Sequence, residues 1–179
     1  MPEVDIRPAI AEDIPGLVAM EHSYKSSYVW QMDLNVEEGQ VVVSFREIRL
    51  PRPVTVEYPR SPLGLTRDWT QRSVFLVGVV NHQLVAYISL MESIAPTTAW
   101  VTDLVVAPAH RRQGIATALL LAAQDWATRR QNRRMIIELQ SKNLAGIHMA
   151  MKLGYEFCGY NDHYYSNQDI ALFFAQFIR

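Results

Sequence analysis

The sequence has a single cysteine, Cys158, so an intrachain disulfide is excluded, and a lone thiol fits a reducing compartment. No apolar run approaches the roughly 18 residues that are needed to span a membrane. The first residues do not combine a basic segment with an apolar one, as a secretory signal would. We therefore expect a soluble, cytoplasmic protein that does not bind membranes.

Several signatures of binding and catalysis are also missing. With 17 Lys and Arg against 18 Asp and Glu, the formal net charge is -1, which gives no electrostatic case for a nucleic-acid partner. The chain has no G-x-x-x-x-G-K-[ST] loop, no G-x-G-x-x-G after a strand and no G-x-S-x-G. Because H-E-x-x-H and paired C-x-x-C are absent as well, we expect no metal site.

What is present predicts one compact α/β domain over residues 1–179. The chain is 49% hydrophobic, which is enough for a sizeable core. Alternation and turn residues predict strands at 4–7, 40–56, 73–80, 84–92, 99–106, 135–139, 155–160 and 170–177. Helical spacing predicts helices at 11–24, 115–128 and 143–153. Residues 24–38 are not assigned, residues 60–72 are interpreted as a loop, and Pro51 and Pro53 make 40–56 an edge strand or two short strands.

The most informative segment is the turn between the strand at 99–106 and the helix that follows. Amide groups at a helix start have no partners within the helix and, with the helix dipole, favour an anion. Gly114 lets a phosphate approach the backbone closely, and Arg111 and Arg112 add positive charge. The segment therefore predicts a pyrophosphate site. The alternative is an ordinary strand–turn–helix with solvated arginines.

Two motifs carry a family resemblance. RRQGIA at 111–116 resembles the Q/R-x-x-G-x-G/A signature of the GNAT superfamily of N-acetyltransferases, and DLVVAP at 103–108 resembles the strand that precedes it. NLAGIHMAMKLGY at 143–155 resembles the second GNAT motif, which begins with Asn and ends in K-x-G-F/Y. The likeness covers about the last 110 residues. YSNQDIALFF at 165–174 resembles the end of streptothricin acetyltransferases.

The resemblance implies a GNAT-type fold: a mixed, mostly antiparallel central sheet flanked by helices, with a V-shaped splay between two parallel strands. It implies acetyl-CoA as the co-substrate. The backbone of Leu104, Val105 and Val106 would hold the pantetheine arm, with Asn143 reaching it from the second helix, and an N–H of Leu104 or Val105 would polarise the thioester. The implied pyrophosphate site comprises Arg111, Arg112, Gln113, Gly114, Ile115, Ala116 and Thr117.

The chain departs from the family at the general acid. The tyrosine that often protonates the leaving thiolate corresponds here to Ala150, and His148, two residues away, points elsewhere on the helix. Tyr155, Tyr160, Tyr164 or Tyr165 could substitute, or no acid is needed. The expected activity is acetyl transfer to a primary amine of a small molecule by direct attack. The alternatives are a CoA-binding module without catalysis and a protein N-terminal acetyltransferase.

Candidate residues for the base and the acceptor follow from the same elements. Asp103 lies on the strand that should present the acetyl group and is the candidate base, with Glu92 as a carboxylate neighbour that would raise its pKa. Acceptor binding is assigned to Tyr28, Trp30, Asp33 and Tyr164, although these aromatic rings could instead fill the core. Residues 40–59 are expected to lie outside the family region and to shape the acceptor pocket or a contact in a homodimer.

Overall fold

The computed structural model describes residues 3–92 and 94–179. A seven-stranded sheet has the order β1-β4-β5-β6-β7-β9-β8, and β2 and β3 form a separate two-stranded sheet. The strands are β1 Asp5–Pro8, β2 Tyr24–Glu37, β3 Gln40–Val56, β4 Val74–Val80, β5 Gln83–Met91, β6 Thr98–Val106, β7 Arg134–Gln140, β8 Glu156–Asn161 and β9 Ala171–Phe177. The α-helices are α1 Ile14–Ala19, α2 Leu65–Asp68, α3 Ile115–Arg129 and α4 Leu144–Lys152. In the described part of the chain, none of these helices is both long and apolar enough to cross a bilayer.

The expected mixed sheet and its splay are confirmed. Within the large sheet the strand pairs are antiparallel except β6 with β7, which is parallel. That pairing runs from Thr98 opposite Arg134 to Val101 opposite Ile137, and beyond it the described residues of the two strands form no further ladder. An irregularity in the β5–β6 register at the same level leaves Thr102 as an extra residue. Such bulges bend a strand and often lie beside active sites.

The sheet separates two hydrophobic clusters, because neighbouring strand residues point to opposite faces. The larger cluster packs α3 and α4 against one face and includes Val101, Ile137 and Phe174. The smaller cluster packs α1 and α2 against the other face and includes Tyr87 and Val105. Glu138 lies between Ile137 and Leu139, which point to the α3–α4 side, so its own side chain points to the side of α1 and α2. Asp103 points to that side as well, in the same direction as Val105. We call the side of α1 and α2 the acceptor face and the side of α3 and α4 the helix face.

The first half of the chain differs from the prediction. The helix expected to reach Tyr24 ends at Ala19, because Met20 has extended backbone angles (φ -64°, ψ 144°) and Tyr24 begins β2. The unassigned residues pair with β3 from Tyr24 opposite Val56 to Glu37 opposite Gln40. The two prolines lie at the register shift between Ser26 and Tyr28, so β3 continues past them as one strand. The expected loop at 60–72 contains α2.

Candidate active site

The start of α3 has the geometry of an anion site. Gly114 is left-handed (φ 85°), as is Arg112 (φ 63°), and this reverses the chain before the helix. The first helical hydrogen bond runs from the Ala118 N–H to the Gly114 carbonyl at 3.0 Å. Among the described residues, the amides of Ile115, Ala116 and Thr117 have no backbone acceptor, so they remain for a ligand. The expected site is therefore built from backbone groups.

Arg111 has a role that the motif does not reveal. Its guanidinium donates to the Val106 carbonyl at 2.8 Å and to the Ser23 carbonyl at 2.9 Å, which ties the end of β6 to the segment between α1 and β2. Burial lowers the pKa of Arg111. The side chain therefore holds the turn in place, whereas Arg112 and Gln113 are exposed beside the free amides.

Asn143 and its neighbours shape the second motif. The Asn143 side-chain oxygen accepts the Gly146 N–H at 2.9 Å and caps α4, which leaves the side-chain amide nitrogen for a ligand. A Cβ at Gly146 would come within 2.8 Å of Leu139 Cδ2, so a larger residue here would have to displace the Leu139 side chain on β7. The backbone of Leu104, Val105 and Val106 pairs with β5 on one side, and its other edge faces the splay.

The surroundings of Ala150 are apolar. Ala150 and Tyr155 belong to the same buried cluster. The Tyr155 hydroxyl is buried without a hydrogen-bond partner among the described residues, and burial raises the pKa of Tyr155. His148 points away from that cluster, and its Nε2 lies 2.9 Å from a Glu47 carboxylate oxygen on β3.

Asp103 lies at the splay on the acceptor face and is enclosed by donors. It is 4% exposed. The Tyr58 hydroxyl donates to Oδ1, and the hydroxyls of Ser89 and Thr102 lie 2.6 and 3.0 Å from Oδ2. Arg72 approaches Oδ2 to 3.6 Å. Both carboxylate oxygens of Asp103 are therefore occupied by donors within the protein.

Glu138 is a second buried carboxylate, on the opposite side of the splay. Arg60 donates to Glu138 Oε1 and, through its other amino group, to the Thr102 carbonyl at 2.8 Å, so its guanidinium spans the opening between β7 and β6. The indole nitrogen of Trp100 and the hydroxyl of Tyr164 lie 3.1 and 3.3 Å from Oε2. Glu138, Arg60, Trp100 and Tyr164 form one polar cluster on the acceptor face, the Glu138 cluster.

The structure does not bring the predicted acceptor residues together, and of the four only Tyr164 lies in the Glu138 cluster. Tyr164 contacts Phe173, whereas Trp30 contacts Phe174, so the two lie on opposite faces of β9. Asp33 forms an exposed ion pair with Arg46 at 2.8 Å, out on the β2–β3 hairpin. Tyr28 is half-buried on β2 opposite Arg49.

Glu92 is not the neighbour of Asp103. Because Met91 pairs with Trp100, Glu92 lies level with the first residues of β6, at the end of the strand away from the splay. Its carboxylate accepts from Arg130 at 2.9 Å and from Asn132 at 2.6 Å. The carboxylate across the splay from Asp103 is Glu138, bridged to it by Arg60.

Sequence reasoning missed Tyr58, Arg60 and Glu138, whereas Tyr165 was already named among the candidate tyrosines. Arg60 stacks over the Tyr165 ring, with its Cζ 5.5 Å from the ring centroid. One signal could have found Glu138: it is the single charge within the run MIIELQ, on the strand predicted to splay. Tyr58 and Arg60 follow the end of β3 and carry no motif.

Comparisons with known proteins agree with this geometry. The streptothricin acetyltransferase of Streptomyces lavendulae is 26% identical over 165 residues, covering 89% of this chain and 83% of that protein. The crystal structure of nourseothricin acetyltransferase has a TM-score of 0.81 at 22% identity and covers 98% of this chain and 99% of its own. A candidate streptothricin acetyltransferase from Bacillus anthracis, solved with acetyl coenzyme A, has a TM-score of 0.76 at 15% identity, covering 98% and 100%.

A family model described as the acetyltransferase (GNAT) family matches residues 42–155. The match begins within the stretch 40–59, so this stretch is not an insertion outside the family region. GNAT acetyltransferases use acetyl-CoA, which is the ligand in the Bacillus anthracis structure. With the motif turn, the splayed strands and this match together, the chain belongs to the GNAT family of acyl-CoA-dependent acetyltransferases.

Proposed function

We propose that this protein transfers the acetyl group of acetyl-CoA to a primary amine of a small molecule by direct attack. One observation supports the proposal above the others. The free amides at the start of α3 and the Glu138 cluster lie at the same splay of β6 and β7, with the cluster on the acceptor face. A cofactor whose pyrophosphate binds at α3 and whose arm enters the splay would present its thioester to this cluster.

The lining of the acceptor face fits an amine with a positive charge nearby. Trp100, Tyr164 and Tyr165 supply aromatic faces, which attract cations, and Glu138 supplies a buried carboxylate that Arg60 already pairs. Streptothricin is the first acceptor to test, because the 26% identical relative is a streptothricin acetyltransferase.

Asp103 is the proposed proton acceptor in this reaction. Attack by the neutral amine forms the C–N bond, and a strand N–H of Leu104 or Val105 stabilises the tetrahedral oxyanion. Collapse breaks the C–S bond. The CoA thiolate is a reasonable leaving group, since thiol pKa values lie at about 8.5. Tyr155 is the proposed acid, because its unpartnered hydroxyl lies in the same cluster as Ala150.

The test is product analysis. The purified protein is incubated with acetyl-CoA and either streptothricin, simple diamines or peptides with a free N-terminus, and CoA release is measured beside the mass of the products. We expect a single acetyl group on a small-molecule amine. Acetylation of peptides alone would instead show a protein N-terminal acetyltransferase. CoA binding with no turnover on any amine would show a module without catalysis.

A further inference from the structure

We propose that Tyr58 is a catalytic residue that relays the proton of the acceptor amine to Asp103. The inference rests on the proposed function, since it assigns the route of the proton in that reaction. Its basis is the arrangement of donors around the Asp103 carboxylate.

The carboxylate of Asp103 has little room for a substrate. Oδ2 is occupied by the hydroxyls of Ser89 and Thr102, at 2.6 and 3.0 Å, with Arg72 at 3.6 Å. Oδ1 accepts the hydroxyl of Tyr58 and lies 3.9 Å from Arg60. Because Asp103 is 4% exposed, a proton from a bound amine has to reach it through one of these partners.

Tyr58 is the partner suited to that task. Ser89 and Thr102 are buried within β5 and β6. Tyr58 comes from the irregular segment after β3 and is partly exposed as a residue, with its hydroxyl buried beside Asp103. A phenol oxygen both donates and accepts, so it can receive one proton while giving up another. Arg60 and Arg72 cannot do this, because a guanidinium accepts no hydrogen bond.

The transfer balances without an external reagent. As the amine nitrogen bonds to the acetyl carbon, its N–H bond breaks and an O–H bond forms on Tyr58. The original O–H bond of Tyr58 breaks in the same step, and the proton moves to Asp103 Oδ1. The C–S bond then breaks to release the CoA thiolate, and Asp103 later returns its proton to solvent. Burial and the neighbouring Asp103 raise the pKa of Tyr58, which disfavours a free phenolate and therefore favours concerted transfer.

Two buried residues hold the Tyr58 ring. The His22 ring lies 5.2 Å from it, centroid to centroid. His22 Nδ1 is 2.6 Å from the Met20 carbonyl and Nε2 is 3.1 Å from the Tyr87 hydroxyl. Nδ1 therefore carries the hydrogen and Nε2 accepts from Tyr87. This wall orients Tyr58. A matched control is Tyr24→Phe, because the Tyr24 hydroxyl donates to Gln140 Oε1 at 2.9 Å and takes no part in the Tyr58–Asp103 arrangement.

The experiment compares Tyr58→Phe, Asp103→Asn, their double variant and Tyr24→Phe on an amine that the unaltered enzyme acetylates. We expect Tyr58→Phe to lower kcat about 100-fold, a typical general-base contribution, with KM and acetyl-CoA affinity nearly unchanged. The double variant should be no slower than the slower single variant, because both remove one route. Tyr24→Phe should change kcat less than about 3-fold, in contrast to loss of the relay.

Three outcomes would overturn the relay: full kcat in Tyr58→Phe, multiplied losses in the double variant, or an equal loss in Tyr24→Phe, which would trace the effect to the general loss of a tyrosine hydroxyl. If Tyr58→Phe does not fold, difluorotyrosine placed at position 58 keeps the shape and makes the phenol more acidic. The relay then requires a changed kcat, and an unchanged kcat would contradict it. Absence of turnover in the unaltered enzyme is a different result, which refutes the proposed function itself.

Discussion

The two sides of the splay are built on different principles. The α3 side uses backbone amides from the contiguous residues 111–117, fixed by the left-handed Gly114 and by Arg111. The acceptor side uses side chains that come from five separate places in the chain: Tyr58 and Arg60 after β3, Arg72 before β4, Asp103 on β6, Glu138 on β7, and Tyr164 and Tyr165 before β9. A contiguous backbone site is visible in sequence, whereas an assembled side-chain site is not.

The difference extends to electrostatics. The α3 side offers partial positive charge to an anion. On the acceptor side, Arg60 and Arg72 stand opposite Asp103 and Glu138, so the formal charges balance. A buried ion pair contributes little net stability, but the loss of one partner leaves an uncompensated charge. The acceptor side is therefore more sensitive to single substitutions, and it is the side on which specificity can change.

The largest expected effect is on the backbone site. Gly114→Glu places a carboxylate where the pyrophosphate belongs and forces a side chain into a left-handed conformation (φ 85°). Loss of two charge-assisted hydrogen bonds corresponds to acetyl-CoA affinity at least about 100-fold weaker. Calorimetric titration with acetyl-CoA measures it.

Gly39→Glu is the matched control. Gly39 has a similar left-handed backbone (φ 74°), and a Cβ there meets no atom within 4 Å. The same substitution at the hairpin turn therefore introduces the same strain and charge away from α3, and acetyl-CoA affinity should not change. If both variants bound acetyl-CoA with equal affinity, the cofactor would have to bind somewhere other than residues 111–117.

The second effect concerns the assembled site. Glu138→Gln keeps the shape but removes the charge that faces Arg60, Trp100 and Tyr164. One charge-assisted hydrogen bond corresponds to about 10- to 100-fold in KM for the acceptor, with acetyl-CoA affinity retained. Steady-state kinetics checks this, with the exposed Glu47→Gln as the control. An unchanged KM would place the acceptor elsewhere.

How much the sequence could predict follows from this contrast. The fold was predictable from β4 onward, because β4–β5 is a hairpin of alternating strands and β6, α3, β7 and α4 carry two motifs at fixed spacing. The anion site at the start of α3 was predictable because free amides at a helix start, next to a glycine, come from contiguous residues. The backbone amides of the turn are therefore placed by local structure, whereas the Arg111 side chain also depends on its contact with the Ser23 carbonyl.

The remainder depends on contacts between residues far apart in sequence. β2 could not be assigned from its own residues because it is held by its pairing with β3, which begins with Tyr24 opposite Val56. Arg60 reaches Thr102 and Glu138 across 42 and 78 residues. Trp30 and Tyr164 both looked suited to an amine, but the pleat of β9 puts their partners Phe174 and Phe173 on opposite faces.

The third effect tests the proposed acid on the helix face. Tyr155→Phe removes only the hydroxyl, which has no partner in the described part of the chain, so the core should keep its packing. We expect kcat to fall about 10-fold, at the low end of acid–base contributions, because a thiolate can leave without full protonation. Assays of CoA thiol release at saturating concentrations of both substrates measure this change in kcat. An unchanged kcat would mean that Tyr155 serves packing only.

The fourth effect is on the stability of the acceptor face. Arg7 on β1 donates to both oxygens of Asp13, at 2.7 and 2.8 Å, beside the start of α1. The side-chain hydrogen bond from Arg7 holds the pKa of Asp13 below its ordinary value. A lowered carboxylate pKa adds stability that is complete above the unfolded pKa of about 3.9 and is lost as pH falls through the lower folded value.

Asp13→Asn should therefore lower the free energy of unfolding by about 1–3 kcal/mol at pH 7 and by less as the pH falls below about 4. Urea unfolding of the two proteins at several pH values measures the difference. A difference that stays constant down to the lowest pH would show that the ionised pair is not its cause.

The smallest effect is expected at His148, and it tests which side of α4 faces the cofactor. Two residues on a helix differ in direction by about 200°, so His148 and the buried Ala150 point apart. The structure accounts for His148 by its contact with Glu47, 2.9 Å away on the hairpin, where both side chains are partly exposed. An exposed pair of this kind contributes at most about 1 kcal/mol to stability.

His148→Ala should thus keep kcat within about 3-fold of the unaltered enzyme, since no proton transfer is lost. Steady-state kinetics with acetyl-CoA affinity measured in parallel decides the point. A hundredfold loss of kcat with intact cofactor binding would mean that His148, rather than the Tyr155 side of α4, faces the thioester, and the helix face would then need a different assignment of its acid.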